Sequence, residues 1–550
     1  MKSLRLLGMV ITILLGILGS SQSAVPKDES GAVALSGTVS SDAEGRMEGV
    51  VVSSKAEGSI VTVAVVSDHE GRYSFPASKL RPGKYALRIR AVGYDLLDDP
   101  GPVDVAADRG ATVDLKLRKT KDLAAQLSNA EWLMSAPGTE EQKALLMNCV
   151  GCHRLEVPLR SNHTKEAFLK VIHRMHNYDA ISGLNSDVRA PNTPGVDIPL
   201  RPEDERTAEY LSTINLRSSH DGKSWGYELK ILPRPKGNAT KVIYTQYDLP
   251  RPKSQPHDVV VNQQDGMVWY IDFGKPYIGK LDPRTGGTKE WEVPNIEPEW
   301  PRTGMTDVKF DRQGYLWLGI HQLGFAKFDT KTEKFQTWCV PPKYVNEKMR
   351  TGMVSISPDG SVSWIKDSGN STVHKLDVRT GKISSFALPV RFYGMDTDIR
   401  GNLYMASLSD GVIGEMDQNG KLEVYPTPTP KSGSRRGHID AQQRFWFGEY
   451  NAKSIAMFDI NTKKIQEWPL PDPYAKPYDA VSDKTGKAWA GGMHTDRVYR
   501  LDPATGEVTP YLLPNPTNIR RVDVDNSTNP PTFWAGDNHG ARIIKVEPFE

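Results

Sequence analysis

From Gly31 to Leu117 apolar and polar residues alternate, as in Val61-Thr62-Val63-Ala64-Val65 and Tyr85-Ala86-Leu87-Arg88-Ile89, with Gly, Pro and Asp breaking the runs. Side chains that point alternately to opposite faces of a strand produce this period of two. The segment is therefore expected to form a small β-sandwich of about seven strands. From Lys119 to Leu216 the period changes. Thr139-Glu140-Glu141-Gln142 reads as a capping box, which opens a helix carrying Ala144, Leu145 and Met147. A second helix is expected from Thr164 to Asn177. A third begins near Pro202 and carries Ala208, Tyr210, Leu211 and Ile214. Residues 217–240, rich in Ser, Gly, Pro and Lys, read as a linker.

After the linker the chain repeats one formula seven times at intervals of roughly 40 to 48 residues, the spacing of a four-stranded propeller blade. Its aromatic strands include Val268-Trp269-Tyr270, Leu316-Trp317-Leu318, Phe445-Trp446-Phe447 and Phe533-Trp534-Ala535. Each is followed by a strand ending in an apolar-acidic pair such as Leu281-Asp282 or Phe458-Asp459. Residues 241–550 are thus expected to form a seven-bladed β-propeller. The last repeat ends without an outer strand, whereas Val242 to Pro250 has the outer-strand pattern and precedes the first full repeat. This strand should complete the seventh blade and remove its exposed edge.

Composition changes this picture little. The chain has 550 residues, 38% hydrophobic and 25% charged, which fits a multidomain soluble protein. Residues 1–24 read as a signal peptide: Lys2 and Arg5, an apolar core from Leu6 to Leu18, then small residues to Ala24. Its removal leaves a formally neutral chain with no basic run, which argues against nucleic-acid binding. The implied location is periplasmic or secreted, with no transmembrane span in the mature chain.

The candidate chemistry is concentrated in Cys149-Val150-Gly151-Cys152-His153. Two thiols separated by two residues can each add to a vinyl group of one porphyrin, and the following histidine can bind the iron. One covalent haem c is therefore expected on Cys149 and Cys152, with His153 as an iron ligand. A zinc site lacks two further ligands at suitable spacing, and a thioredoxin-type pair lacks its βαβ context. Cys339 stands apart from the pair and reads as a buried, inert thiol. For the sixth ligand Met175 is favoured, because Phe168, Ile172 and Met175 share a helical face and a thioether raises the potential of an electron-transfer haem. His163, His173 and His176 remain alternatives.

The turn wording of 31–117, notably Asp68-His69-Glu70-Gly71-Arg72-Tyr73 and Arg81-Pro82-Gly83-Lys84-Tyr85, resembles the carboxypeptidase regulatory-like domain. That resemblance implies a transthyretin-like, usually non-catalytic sandwich. Three helices around a C-x-x-C-H over 119–216 resemble the class I cytochrome c fold, which implies an all-α domain. The repeats over 241–550 resemble the virginiamycin B lyase family, with Phe445-Trp446-Phe447-Gly448-Glu449 the most specific phrase. True lyases of that family open a cyclic lactone by metal-assisted elimination. The resemblance puts their acid/base histidines and a glutamate at positions that here hold Tyr478, Arg521 preceded by Arg520, and Asp537, so no catalytic residue carries over.

Other polar residues at blade entrances are candidates for the channel mouth: His257, Asp258, Asp307, His438, Asp440, Glu449, Asp479, His494 and His539. A His438 to Glu449 cluster is a candidate for a divalent ion. Capping of strands and turns is the competing reading for each of them. The function these features imply is an exported monohaem cytochrome in electron transfer, with the propeller as a substrate-binding or docking platform, as in a periplasmic oxidoreductase. Two alternatives stand beside it: a lyase-type propeller with a fused cytochrome, and a cell-envelope carbohydrate- or protein-binding module with a redox-sensing haem. Neither the redox partner nor the substrate can be read from the sequence.

Overall fold

The computed structural model describes residues 32–549 apart from 152, 177–196, 220, 295–303, 321–323, 347–348 and 350. The signal peptide expected over 1–24 and Cys152 of the C-x-x-C-H motif lie outside the described residues.

The N-terminal segment is a sandwich of ten strands among the described residues, against about seven expected. Gly45–Arg46 and Ala111–Thr112 are two-residue pairings, too short to show any period in the sequence. One sheet is built on Val33–Ser41, which pairs in parallel with Leu115–Lys119. The other contains Val61–Val66, Val51–Ala56, Gly83–Arg90 and Val103–Val105 in that order. Leu35, Val39, Val50, Val52, Tyr73, Phe75, Leu115 and Leu117 fill the space between the sheets. Burial of each such side chain contributes about 1.5–3 kcal/mol.

The next segment is helical: α1 (Asn129–Ser135), α2 (Glu140–Leu145), α3 (Glu156–Leu159), α4 (Lys165–His176) and α5 (Pro202–Ile214). The capping box read at Thr139 is present on α2, where Gln142 Oε1 accepts from the Thr139 N–H at 2.9 Å. A second box, Ser128 with Glu131, opens α1, a helix the sequence reading omitted. Trp132, Leu133, Leu146, Val150, Leu159, Phe168, Ala208 and Leu211 form a core of their own. No helix among the described residues is long and apolar enough to cross a membrane.

The segment read as a linker is packed in place. Trp225 meets the Trp132 ring edge-on at 5.1 Å, the Leu232 N–H donates to Glu131 Oε1 at 2.8 Å, and the Arg497 guanidinium donates to the Pro233 carbonyl. Its apolar residues, too sparse to show periodicity, serve as wedges between the helices, the sandwich and the propeller.

The described residues of 242–548 form seven four-stranded antiparallel blades, six of them separate sheets. In chain order these are blades 1 (256–292), 2 (305–339), 3 (351–387), 4 (394–426), 5 (434–469), 6 (477–512) and 7 (519–548). Blade 7 is completed by Val242–Asp248, paired from Val242 with Pro548 to Asp248 with Arg542. The expected closure is therefore present, and it goes further than the sequence implied. The other edge of Val242–Asp248 pairs with Val61–Val66 of the sandwich, which makes one eight-stranded sheet of blade 7 and half the sandwich. Val51, Ala64 and Val66 share a core with Trp489, Ile519 and Phe533 of blades 6 and 7.

Glycines set how closely the blades approach. A Cβ on Gly536 of blade 7 would lie 2.0 Å from the Pro256 carbonyl of blade 1, so the ring closes only over a bare Cα there. The blade tryptophans Trp317, Trp446 and Trp489 are buried, and each indole N–H donates to an aspartate six residues earlier, Asp311, Asp440 or Asp483, at 2.7–2.9 Å. Asp440 is thus a turn clamp rather than a channel group. Cys339, expected to be buried, is exposed because it ends the outermost strand of blade 2.

Candidate functional site

Of the polar groups noted above, His257, Asp258, Asp307, His438 and Asp479 lie on the first strands of blades 1, 2, 5 and 6. Arg436 Nη1 lies 2.9 Å from Asp258 Oδ2 and 3.8 Å from Asp307 Oδ2, while Arg521 Nη1 lies 3.2 Å from Asp307 Oδ1. Asp479 accepts from His438 Nε2 at 2.9 Å. These side chains, His438 excepted, are at most 2% exposed. Burial drives the carboxyl of Asp258 up to about 6 despite Arg436. For Asp479 the same burial is outweighed by His438 and Arg521, which hold it down at about 2.

Toward the entrance lies a chain of hydroxyls. Tyr393 and Tyr478 share a hydrogen bond of 2.7 Å, Tyr478 Oη is 3.3 Å from His257 Nε2, and His257 Nδ1 bonds Asp258. Arg435 lies over three tyrosine rings, its guanidinium carbon 4.0 Å from the centre of Tyr478, 4.8 Å from Tyr450 and 5.0 Å from Tyr393. Burial would raise the Tyr393 phenol, but Arg435 and Arg436 overcome it and bring the phenol down to about 7. Lys366 donates to the carbonyls of Phe392 and Tyr393 at 3.0 and 2.8 Å, and burial lowers its ammonium to about 8.

The C-x-x-C-H turn sits on this entrance. Arg520 Nη2 donates to the Gly151 carbonyl at 2.8 Å, and Asn518 Nδ2 donates to the Val150 carbonyl at 3.4 Å. His539 Nε2 lies 3.3 Å from the Gly151 oxygen, and the Ala130 N–H of α1 donates to the His494 carbonyl at 2.8 Å. His153 is partly buried, and its Nδ1 lies 2.9 Å from the Arg154 carbonyl. A ring that donates through Nδ1 keeps the Nε2 lone pair for a metal, as iron-binding histidines do. Cys149 is partly buried in the 3₁₀ turn Leu146–Gly151. The donor chemistry of Cys149 and His153 therefore fits a covalently held haem.

On α4 Phe168 is buried, whereas Met175, seven residues on, is 40% exposed. Of the alternatives, His173 lies 2.9 Å from Asp197, His176 lies 3.2 Å from Asp204, and His163 packs edge-on against Phe168.

The structure brings His257, Asp258, Asp307, His438 and Asp479 together along the axis and His539 to the haem-motif turn. His438 turns to Asp479, away from the suggested partnership with Glu449. Among the described residues no three His, Cys, Asp or Glu side chains form a metal-holding group. The sequence reading missed Arg435, Arg436 and Tyr393, and noted Arg520 only as the neighbour of Arg521. The signal available was the Arg-Arg pair that opens the first strand of both blade 5 and blade 7.

Glu449 is buried, and burial together with the nearby Glu467 raises its carboxyl to about 8. Between its unfolded value near 4.5 and about 8 the folded chain holds one more proton than the unfolded chain. Stability should therefore fall as pH rises through that window. Glu449→Gln is expected to abolish this slope and to stabilise the protein by a few kcal/mol at pH 8, given roughly 1.4 kcal/mol per pK unit, while changing little at pH 4.5. Chemical denaturation at both values checks it.

Blade number and closure define the C-terminal part as a seven-bladed propeller. The profile of the virginiamycin B lyase family matches residues 301–520, and that of the carboxypeptidase regulatory-like domain matches 34–118. Among solved structures, one described as a streptogramin B lyase aligns with 57% of this chain and 100% of its own, at 19% identity and a TM-score of 0.50. The virginiamycin B lyase from Staphylococcus aureus aligns with 56% of this chain and 100% of its own, at 16% identity and a TM-score of 0.49. No curated protein matches the chain.

Proposed function

We propose that the protein is an exported c-type haem protein that transfers single electrons, with the mouth of the propeller channel presenting the substrate or redox partner beside the haem. The observation that supports it best is the seating of the C-x-x-C-H turn on that mouth through Arg520 and Asn518. Cys149 and Cys152 would hold the haem and His153 would bind its iron, in an all-α cytochrome unit formed by α1 to α5. When bound, the haem supplies one-electron oxidation and reduction. The chain's own groups fix the turn, keep the His153 ring oriented through the Arg154 carbonyl, and gather charge beneath it. A lyase reading has less support, because Arg521 is committed to Asp307 and Tyr478 to Tyr393 and His257.

Covalent haem staining of the denatured full-length chain is the test. Wild type should stain and give a c-type reduced-minus-oxidised spectrum, and Cys149→Ser or Cys152→Ser should lose most of the stain. An unstained wild type, expressed where haem attachment operates, refutes the reading. Met175→Ala should remove the thioether-to-iron band of the oxidised protein. If that band persists, Met175 is not the ligand; if wild type never shows it, a histidine such as His163, His173 or His176 takes its place.

A further inference from the structure

Charge along the axis is matched deep in the channel and unmatched at its mouth. Asp258, Asp307 and Asp479 face Arg436, Arg521 and His438. Among the described residues neither Arg435 nor Arg520, each one residue before Arg436 or Arg521 on the same strand, has a carboxylate within ion-pair distance. Arg435 makes only long contacts, 3.4 Å to Tyr393 Oη and 4.0 Å to Met493 Sδ, and its buried Nε has no hydrogen-bond partner. Arg520 is 8% exposed and donates only to neutral oxygens, Asn518 Oδ1 at 2.6 Å and Gly151 O at 2.8 Å. Both guanidiniums lie over the ring of Tyr478, at 4.0 and 5.5 Å from its centre.

Buried cations without an anion are costly, and proteins keep them where an anion is to be bound. We propose that the channel mouth beneath the Cys149–His153 turn is a carboxylate-binding site with Arg435 and Arg520 as its two guanidinium arms. A guanidinium offers a carboxylate two parallel N–H donors in one plane. The tyrosine rings around Arg435 favour a carboxylate carried on a flat apolar group over a compact, strongly hydrated phosphate. The neighbouring titratable groups agree with an excess of positive charge. Burial with Lys476 and Arg435 pushes His494 down to about 3, and Arg435 with Arg436 brings the Tyr393 phenol down to about 7. The proposal rests on the reading of this mouth as the place where substrate and haem meet. The carboxylate has two possible sources, an incoming substrate and the haem's own propionates.

Calorimetric titration of the full-length protein with benzoate, and with neutral benzamide as the control, tests it alongside the haem midpoint potential. If the site takes an incoming carboxylate, benzoate binds and benzamide does not. Arg435→Gln then weakens benzoate roughly 10- to 100-fold, the value of a lost charge-assisted pair, and Arg435→Lys weakens it less. If the propionates occupy the site, benzoate does not bind the haem-loaded chain, and Arg435→Gln lowers the midpoint potential by removing a cation beside them. Should Arg435→Gln lose its fold, Arg520→Gln at the rim takes its place. Benzoate that binds no better than benzamide, together with an unchanged potential in the variants, overturns the proposal. A wild-type chain without covalent haem refutes the electron-transfer reading alone, since the benzoate titration still decides the site.

Discussion

Thr245→Pro is expected to destabilise the protein by about 3 kcal/mol or more and to loosen the sandwich and blade 7 together. Thr245 lies at the middle of Val242–Asp248, opposite Lys545 on one side and Val63 on the other. Proline removes a ladder N–H and forces its ring between two neighbouring strands, a place where proline is hardly ever found. Hydrogen exchange should show protection falling in Val61–Val66 and in Arg542–Pro548 alike. A proline in the outermost strand of blade 2, which has one neighbour only, should leave the sandwich untouched. Loss confined to one side in Thr245→Pro would mean that the two halves of the eight-stranded sheet are energetically independent.

The second large effect is expected from Arg436→Met. Met retains much of the apolar volume but leaves Asp258 and Asp307, both fully buried, with Arg521 as the remaining arginine within 4 Å. Breaking a buried charge pair by removing one partner costs about 3–5 kcal/mol. The pH dependence fixes the cause. Asp258 is already raised to about 6 by burial, and loss of Arg436 would raise it further. A carboxyl raised in the folded state favours folding as pH falls, because the folded chain then binds the extra proton. The variant should therefore lose less stability at pH 5 than at pH 8, measured by urea unfolding. Equal losses at both values would trace the damage to packing instead.

Blade number and closure were legible in the sequence because each blade repeats the same burial pattern, and seven copies average out local irregularity. The helices around Thr139, Thr164 and Pro202 were legible from their starts, where a capping box or a proline marks the first turn. α1 escaped notice because its capping residue, Ser128, follows a 3₁₀ turn and its buried face is only two turns long. The pairing of Val242–Asp248 with Val61–Val66 joins segments some 180 residues apart, and alternation alone cannot say which edge meets which. For the same reason the site was half visible. The acidic residues and histidines at blade entrances drew attention as chemistry, whereas Arg435 was not singled out and Arg520 only as the neighbour of Arg521, until the ring placed them beside Tyr478 and Gly151.

The shared sheet also bears on the order in which the chain is made. Val242–Asp248 leaves the ribosome almost 300 residues before Arg542–Pro548, its partner in blade 7. A propeller strand waiting that long would present two open edges to other chains. Val61–Val66 is already synthesised by then and occupies one of them. Pairing with the sandwich would leave the first propeller strand a single open edge until the last strand completes the ring.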